Sequence, residues 1–263
     1  MLKSLQNEQV KYVVNLNRRK FREDTEEFLI EGWRFVEEAT RRGAEIKRVY
    51  LQPERTTSWE GLVRALKLKG VPIVEVDEKV MRKMSDTEKP QGILAIVNQS
   101  RAKLQEFSFE NQPLLLVLDG IQDPGNCGTI LRTALAAGIK NVCLTEGTVD
   151  LYNPKVLRST MGTIFSLNIA TSCVPEEIIA FCKDKELNLV IGDIEGDDLY
   201  SVNLTHPLAL VVGNEGNGIS IPFRNSAVKR ICIPMSNEVE SLNVAMATGI
   251  ILYEIVRQRN IQM

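Results

Sequence analysis

In the C-terminal half of the chain, unbroken apolar runs alternate with stretches of helical periodicity, and each run stops abruptly at small or polar residues. Leu114 to Leu118, Leu208 to Val212 and Ile231 to Ile233 are runs of the kind that a strand buried on both faces produces. Strands are predicted near 114–118, 141–144, 165–170, 188–192, 208–212 and 230–233, with helices over about 126–138, 175–186 and 240–258. This alternation predicts a Rossmann-like α/β domain on a parallel sheet. Such sheets bind ligands just beyond the carboxyl ends of their strands, so the polar tips after 118, 212 and 233 are the expected site.

The first hundred residues alternate in the same way but on a smaller scale. Val10, Val13 and Val14 share one helical face, Phe28 to Ile30 is strand-like, and Gly32 to Arg42 is helical with Gly43 as its cap. A strand at 46–51, a helix over about 58–69 stopped by Gly70, a strand at 71–76, a short helix at 78–84 and a strand at 93–97 complete a smaller α/β domain. Periodicity lapses between Gln99 and Pro113, which predicts a linker over 101–112 joining domains 1–100 and 113–263.

Composition narrows the class. The 263 residues are 44% hydrophobic and 25% charged, as in ordinary globular proteins, with no run apolar enough to span a bilayer and no signal-peptide core near the start. A cytoplasmic protein with no membrane association is expected. Five cysteines, Cys127, Cys143, Cys173, Cys182 and Cys232, form no C-x-x-C pair and mostly sit in apolar runs, which favours reduced buried thiols over disulfides or a zinc site. One histidine, His206, cannot build a histidine metal centre, so no metal is expected.

The net charge of −2 argues against a nucleic-acid partner, but its distribution softens the objection. Residues 1–110 carry 21 basic and 18 acidic side chains, whereas residues 111–263 carry 11 and 16. Within residues 1–22, Lys3, Lys11, Arg18, Arg19, Lys20 and Arg22 face only Glu8. Such an arm suits a phosphate backbone, and suits a solvated helix face equally well.

The candidate chemistry lies in three stretches. In LLLVLDGIQDPGNCGTILRTA (114–134), the turn at Asp123 to Asn126 leads into a helix that carries Arg132; Asn126 reads either as the helix N-cap or as part of a site wall, and Arg132 as a site residue or a solvated charge. In LALVVGNEGNGIS (208–220), Gly213 and Gly216 permit close backbone approach to a ligand with Glu215 beside them, or serve a turn alone. The G-x-x-G-x-G spacing is neither the dinucleotide fingerprint nor a P-loop. In ICIPMSNEVESLNVAMATGIILYEI (231–255), Ser241 or Asn243 is suited to cap the last helix. Between the first two, Lys155 and Arg158 share a helix face that suits either RNA contact or plain exposure, with Asn153 as the cap.

Together and in this order, the three stretches resemble the SpoU (TrmH-like) family of RNA ribose 2′-O-methyltransferases, closely in the C-terminal domain and more loosely before it. The resemblance implies a deep trefoil knot, which periodicity cannot reveal, and a homodimer formed through the C-terminal domain. It implies S-adenosyl-L-methionine as cofactor, bound by Gly213, Ile233, Leu242, Glu215 and Gly216, with Arg132, Asn126, Glu215, Ser241 and Asn243 as catalytic residues. Residues 1–100, through EFLIEGWRFVEEA, resemble the family's RNA substrate-binding module, with Arg18, Arg19, Lys20, Arg22, Lys155 and Arg158 as RNA-binding candidates. Arg132 would act either as the base or as a charged clamp on phosphate and alkoxide. The implied reaction is methylation of structured RNA, with large-subunit (23S) ribosomal RNA favoured over tRNA, or over a relic that binds RNA without chemistry. A different nucleotide-dependent enzyme on a Rossmann-like sheet is disfavoured by the missing fingerprint.

Overall fold

The apolar runs become strands of two sheets, one in each of two compact units, with Leu114 to Leu118 and Leu208 to Val212 central and Ile231 to Ile233 at an edge. The computed structural model describes residues 1–100, 102–110, 112–214, 216–236 and 238–259. The first unit comprises Met1–Ser100 and Tyr152–Phe165, and the second the rest of the described chain.

In the first unit, α1 (Glu8–Asn15) starts where the Asn7 side chain accepts a hydrogen bond from the Gln9 amide, and it buries Val10 and Val13. Then follow α2 (Arg19–Thr25), β1 (Glu27–Glu31), α3 (Trp33–Arg41), β2 (Ile46–Leu51), α4 (Glu60–Leu68), β3 (Ile73–Glu75), α5 (Glu78–Met84) and β4 (Ile93–Asn98). The predicted stop of α3 holds: Gly43 takes φ +75° and the Ala44 amide reaches back 2.9 Å to the Ala39 carbonyl. The sheet order is β1-β4-β2-β3, with β4 antiparallel to both neighbours and β2 parallel to β3. Tyr50, Leu94 and Ile96 pack with Val80, Met81 and Met84 to form one core.

Helix α2 is not foreshadowed by apolar periodicity, and it corrects one expectation. Arg22 is buried, and its Nη1 donates to the Leu16 carbonyl at 2.7 Å, so it braces the α1–α2 turn and offers no charge to a phosphate.

The second unit begins before its first strand. The stretch expected to be a plain linker contains a single 3-10 turn, Leu104–Glu106, and inserts Leu104 and Phe107 into the unit's core because two apolar side chains interrupt its polar run. Then come β5 (Leu114–Asp119), α6 (Pro124–Ala136) and β6 (Asn141–Thr145). The chain next passes through α7 (Pro154–Thr160), which belongs to the first unit although sequence order placed it in the C-terminal domain. Its segment is held there by Tyr152 and Phe165, whose rings stand 4.5 and 6.3 Å from that of Phe28. The remaining elements are β7 (Asn168–Cys173), α8 (Pro175–Asp184), β8 (Asn188–Asp198), β9 (Leu208–Gly213), α9 (Ile221–Ser226), β10 (Lys229–Cys232) and α10 (Val244–Arg259).

All neighbours in the six-stranded sheet β10-β8-β9-β5-β6-β7 run parallel, as the two-sided apolar runs predict. One face is covered by α8 and α9, whose Ile178, Phe181 and Phe223 join Leu115, Val117, Ala209 and Val211. On α6 and α10, Ile130, Leu131, Ala134, Ile251, Leu252 and Ile255 are buried, and the two helices pack on each other. Buried Arg259 fastens the end of α10 by donating to the carbonyls of Leu204 (3.1 Å) and Gln112 (2.8 Å). The cysteines are free thiols, buried except for half-buried Cys232. No helix among the described residues is long and apolar enough to cross a membrane.

Candidate active site

Strands β8, β9 and β5 are adjacent, so the loops that leave them gather at one edge of the sheet. At the end of β5, buried Asp119 accepts from the Thr145 hydroxyl (3.0 Å) and from the Ser220 amide (2.7 Å), tying three chain segments to one carboxylate. The next residue, Gly120, has φ +67°, and its carbonyl accepts from the side-chain amide of Asn214 at 2.9 Å. The oxygen of that same side chain accepts from the amides of Gly216 (2.7 Å) and Asn217 (3.1 Å), while Asn214 and Gly218 exchange two backbone hydrogen bonds. The loop after β9 is thus a closed turn pinned to the loop after β5. Asp119, Thr145 and Asn214 escaped the motif reading; the signal was a polar residue at the end of an otherwise apolar strand.

Gly213 is where this turn meets its strand. A Cβ there would lie 2.5 Å from the carbonyl carbon and oxygen of Gly218 and 2.6 Å from Ile219 Cγ1, so only glycine fits.

Beside this turn opens a cavity of about 370 Å³. Its lining brings together Gly213, Gly216, Ile233, Ser241 and Leu242, five residues predicted from two separate stretches, and adds Ile231 and Ile251 as apolar walls. The size and the mixture of apolar walls with exposed backbone suit an adenosine-sized ligand. Glu215 lies outside the described residues.

Asn126 and Asn243, separated by 117 positions, meet directly: the Asn243 side-chain nitrogen donates to Asn126 Oδ1 at 2.9 Å. Asn243 also caps α10, its oxygen accepting from the amides of Ala245 (3.0 Å) and Met246 (3.3 Å). Helix α10 accordingly starts after Asn243, later than its apolar periodicity suggests, and Ser241 is left to the cavity. Asn126 is not the cap of α6. Asp123 holds that place, accepting from the Asn126 amide at 2.7 Å, because Pro124 starts the helix one turn earlier than expected.

Arg132 is exposed on α6 and is absent from the cavity lining. Six residues along a helix is a rotation of about 120° away from Asn126, so the two side chains leave the helix on different faces. Thr133, the next residue, lies 3.6 Å from where a Cβ on Gly249 would stand, which puts this part of α6 against α10.

Among the RNA-binding candidates, Arg18, Lys20 and Lys155 are exposed, and Arg19 is an exposed partner of Glu23 at 2.7 Å. Arg158 pairs with Asp86 within the first unit at 2.5 Å, and Asn153 caps α7 as predicted. Buried Arg22 does not join them.

Comparison with known proteins matches the chain in two stretches. The SpoU rRNA Methylase family matches residues 113–253, more than half of the chain, and the MRM3-like substrate binding domain matches residues 7–95. The chain belongs to the SpoU rRNA methylase family. Among its relatives, the 23S rRNA (guanosine(2553)-2′-O)-methyltransferase RlmP of Bacillus subtilis is 30% identical over 254 residues, 97% of this chain and 98% of RlmP. The 23S rRNA (guanosine-2′-O-)-methyltransferase RlmB of Haemophilus influenzae is 33% identical over 246 residues, 86% of this chain and 91% of RlmB. The crystal structure of an AdoMet-bound rRNA methyltransferase from Sinorhizobium meliloti superposes with a TM-score of 0.90 at 31% identity, covering 97% of each chain.

Proposed function

We propose that this SpoU family member transfers a methyl group from S-adenosylmethionine to a ribose 2′-hydroxyl of 23S ribosomal RNA in the cytoplasm. The observation that carries the reading is the single cavity built by residues from the stretches after β9 and β10, with the Asn126–Asn243 pair joining the first stretch to the third. The apolar walls and the bare backbone at Gly213 fit the adenosine part of the cofactor. When bound, the cofactor supplies a methyl group activated on a sulfonium. Domain 113–263 is read as the cofactor-binding and catalytic part, with Ser241 at the cavity and Asn243 and Asn126 as the polar cluster that orients the target ribose.

Arg132 is read as a charged clamp and not as the base. A planar guanidinium presents several N–H donors in a fork that suits phosphate oxygens, and this one sits exposed on α6. A fixed positive charge beside the ribose holds the neighbouring phosphate and stabilises the alkoxide as it develops.

Domain 1–100 is read as the part that selects the RNA, with exposed Arg18, Arg19, Lys20 and Lys155 as phosphate contacts. The deep trefoil knot belongs to the same reading; β9 lying between β8 and β5, and α10 returning from edge strand β10 to pack on α6, support it. So does a homodimer, because Met246 and Tyr253 leave exposed apolar side chains on one stripe of α10. Gly249, between these two residues on α10, faces Thr133, the residue after Arg132, and Arg132 is read as acting on the cavity of a second copy seated there.

Two experiments test this. Incubation with S-adenosylmethionine and unmodified 23S rRNA is expected to yield a 2′-O-methylated nucleoside by mass spectrometry; modification of tRNA alone would replace the substrate, and none on any RNA would favour a binding relic. Mixing inactive Arg132→Ala and Leu242→Trp proteins is expected to restore part of the activity if Arg132 acts on the partner copy's cavity, and to restore nothing if each copy serves itself.

A further inference from the structure

The cavity lining contains two charged residues that lie outside the three motif stretches, Asp193 and Arg224. The pairing of β10 with β8 is interrupted: Lys229 and Arg230 stand opposite Val190 and Ile191, whereas Ile231 and Cys232 stand opposite Asp197 and Asp198. Residues 192–196 therefore have no partner on β10 and bulge out at the sheet edge where the cavity lies. The bulge is crimped at Gly196, where a Cβ would stand 2.6 Å from the backbone nitrogen and carbonyl carbon of Ile231. Since Ile191 pairs with Val211, the bulge begins level with the end of β9, beside Gly213.

This detour carries Asp193 into the cavity wall. Its side chain is only 4% exposed. Oδ1 accepts from the Glu195 amide at 3.2 Å, but Oδ2 is buried without a hydrogen bond. The nearest cation, Arg224 Nη2, stands 3.5 Å from it, an ion-pair distance, while the Nε of the same guanidinium donates to the Ile219 carbonyl at 3.0 Å. A buried carboxylate oxygen left unbonded costs free energy, and such groups are retained where a ligand completes them.

We infer that Asp193 is a cofactor-binding residue that accepts hydrogen bonds from the ribose hydroxyls of the adenosine moiety; this rests on the methyltransferase reading above. The other groups of the cofactor that a carboxylate could meet are the adenine amino group, the sulfonium and the ammonium, the last two cationic. Arg224 already faces Oδ2, so a second cation would be repelled, whereas a neutral diol brings donors without charge. The apolar walls at Ile231, Leu242 and Ile251 accommodate the base, which leaves the carboxylate for the sugar attached to it.

The test is calorimetric titration of the full chain, parental and Asp193→Ala, with S-adenosylmethionine, S-adenosylhomocysteine and 5′-methylthioadenosine. The last has the base and ribose but neither sulfonium nor amino acid. Asp193→Ala is expected to weaken all three by a similar factor, about ten- to a hundredfold, while its ligand-free melting temperature stays at or above the parental value. A loss confined to S-adenosylmethionine, or parental affinity for 5′-methylthioadenosine, would overturn the assignment. Should Asp193→Ala fail to fold, Asp193→Asn, of nearly the same shape, is expected to show a smaller loss that is again equal across the three ligands, and unequal losses would overturn the assignment equally. Failure of the parental protein to bind any of the three would instead remove the methyltransferase reading itself.

Discussion

Replacing Gly213 with alanine perturbs the cavity through three atoms whose positions are known. The backbone of Gly213 is ordinary strand, so alanine adds no conformational strain there and the whole effect is steric. The new methyl would lie 2.5 Å from the Gly218 carbonyl carbon and oxygen and 2.6 Å from Ile219 Cγ1. Carbon atoms settle at about 3.5–4.0 Å, so the loop must retreat by about 1 Å. Side-chain repacking cannot absorb this, because two of the three atoms are backbone in a turn closed by the Asn214–Gly218 bonds of 3.1 and 2.8 Å. Overpacking of this kind costs about 1–3 kcal/mol, which lowers the melting temperature by roughly 2–12 °C in a protein of this size. The displaced turn lines the cavity, so affinity for S-adenosylhomocysteine is expected to fall at least about tenfold, equivalent to 1.4 kcal/mol. Gly216→Ala is the control for stability: its Cβ would meet only Asn214 Oδ1, at 3.4 Å, and the melting temperature is expected to stay within about 1–2 °C. Thermal denaturation and calorimetry measure both quantities. Parental stability and affinity in Gly213→Ala, or an equal destabilisation in Gly216→Ala, would refute the reasoning.

Arg132→Ala is expected to slow single-turnover methyl transfer by about 10²–10³-fold while leaving S-adenosylhomocysteine affinity within about twofold, since the side chain lies outside the cavity; a parental rate would remove its assigned role. Asn243→Ala loses a helix cap and the bond to Asn126 and is expected to cost about 1–3 kcal/mol in urea denaturation, whereas Asn243→Asp keeps the cap acceptor and costs less. Arg22→Met is expected to lower stability by about 1–3 kcal/mol without changing the salt dependence of RNA binding, while Arg18, Arg19 and Lys20 replaced together by alanine reduce that slope by up to about 3. In native protein at pH 8, burial pushes the Cys127 and Cys182 thiols up to about 12 and should keep them from alkylation, and S-adenosylhomocysteine should protect half-buried Cys232, which lines the cavity; labelling of Cys232 unchanged by ligand would place the ligand elsewhere.

The sequence by itself determined the parallel sheet, most of its strands and the strand ends that carry the site. Runs such as Leu114 to Leu118 are apolar throughout because such strands are covered on both faces, and that requirement is local enough to read from composition alone. The predicted cofactor residues Gly213, Gly216, Ile233 and Leu242 share one cavity, because loops that leave neighbouring parallel strands emerge at the same edge. Where several residues could do one job, only tertiary structure chose. Asp123 and Asn126 can both cap a helix, and Pro124 decided for Asp123; Ser241 and Asn243 can both cap α10, and proximity to Asn126 gave Asn243 two partners at once. Arg22 looked like its basic neighbours until the α1–α2 turn buried it, and α7 followed the aromatic rings at 152 and 165 into the first unit. The polar contacts that shape the site join residues 94, 101 and 117 positions apart. No local pattern encodes such pairs, because a hydrogen bond depends on where the fold places its two ends, and the same is true of Asp193, whose isolation becomes visible only once the bulge around it is closed.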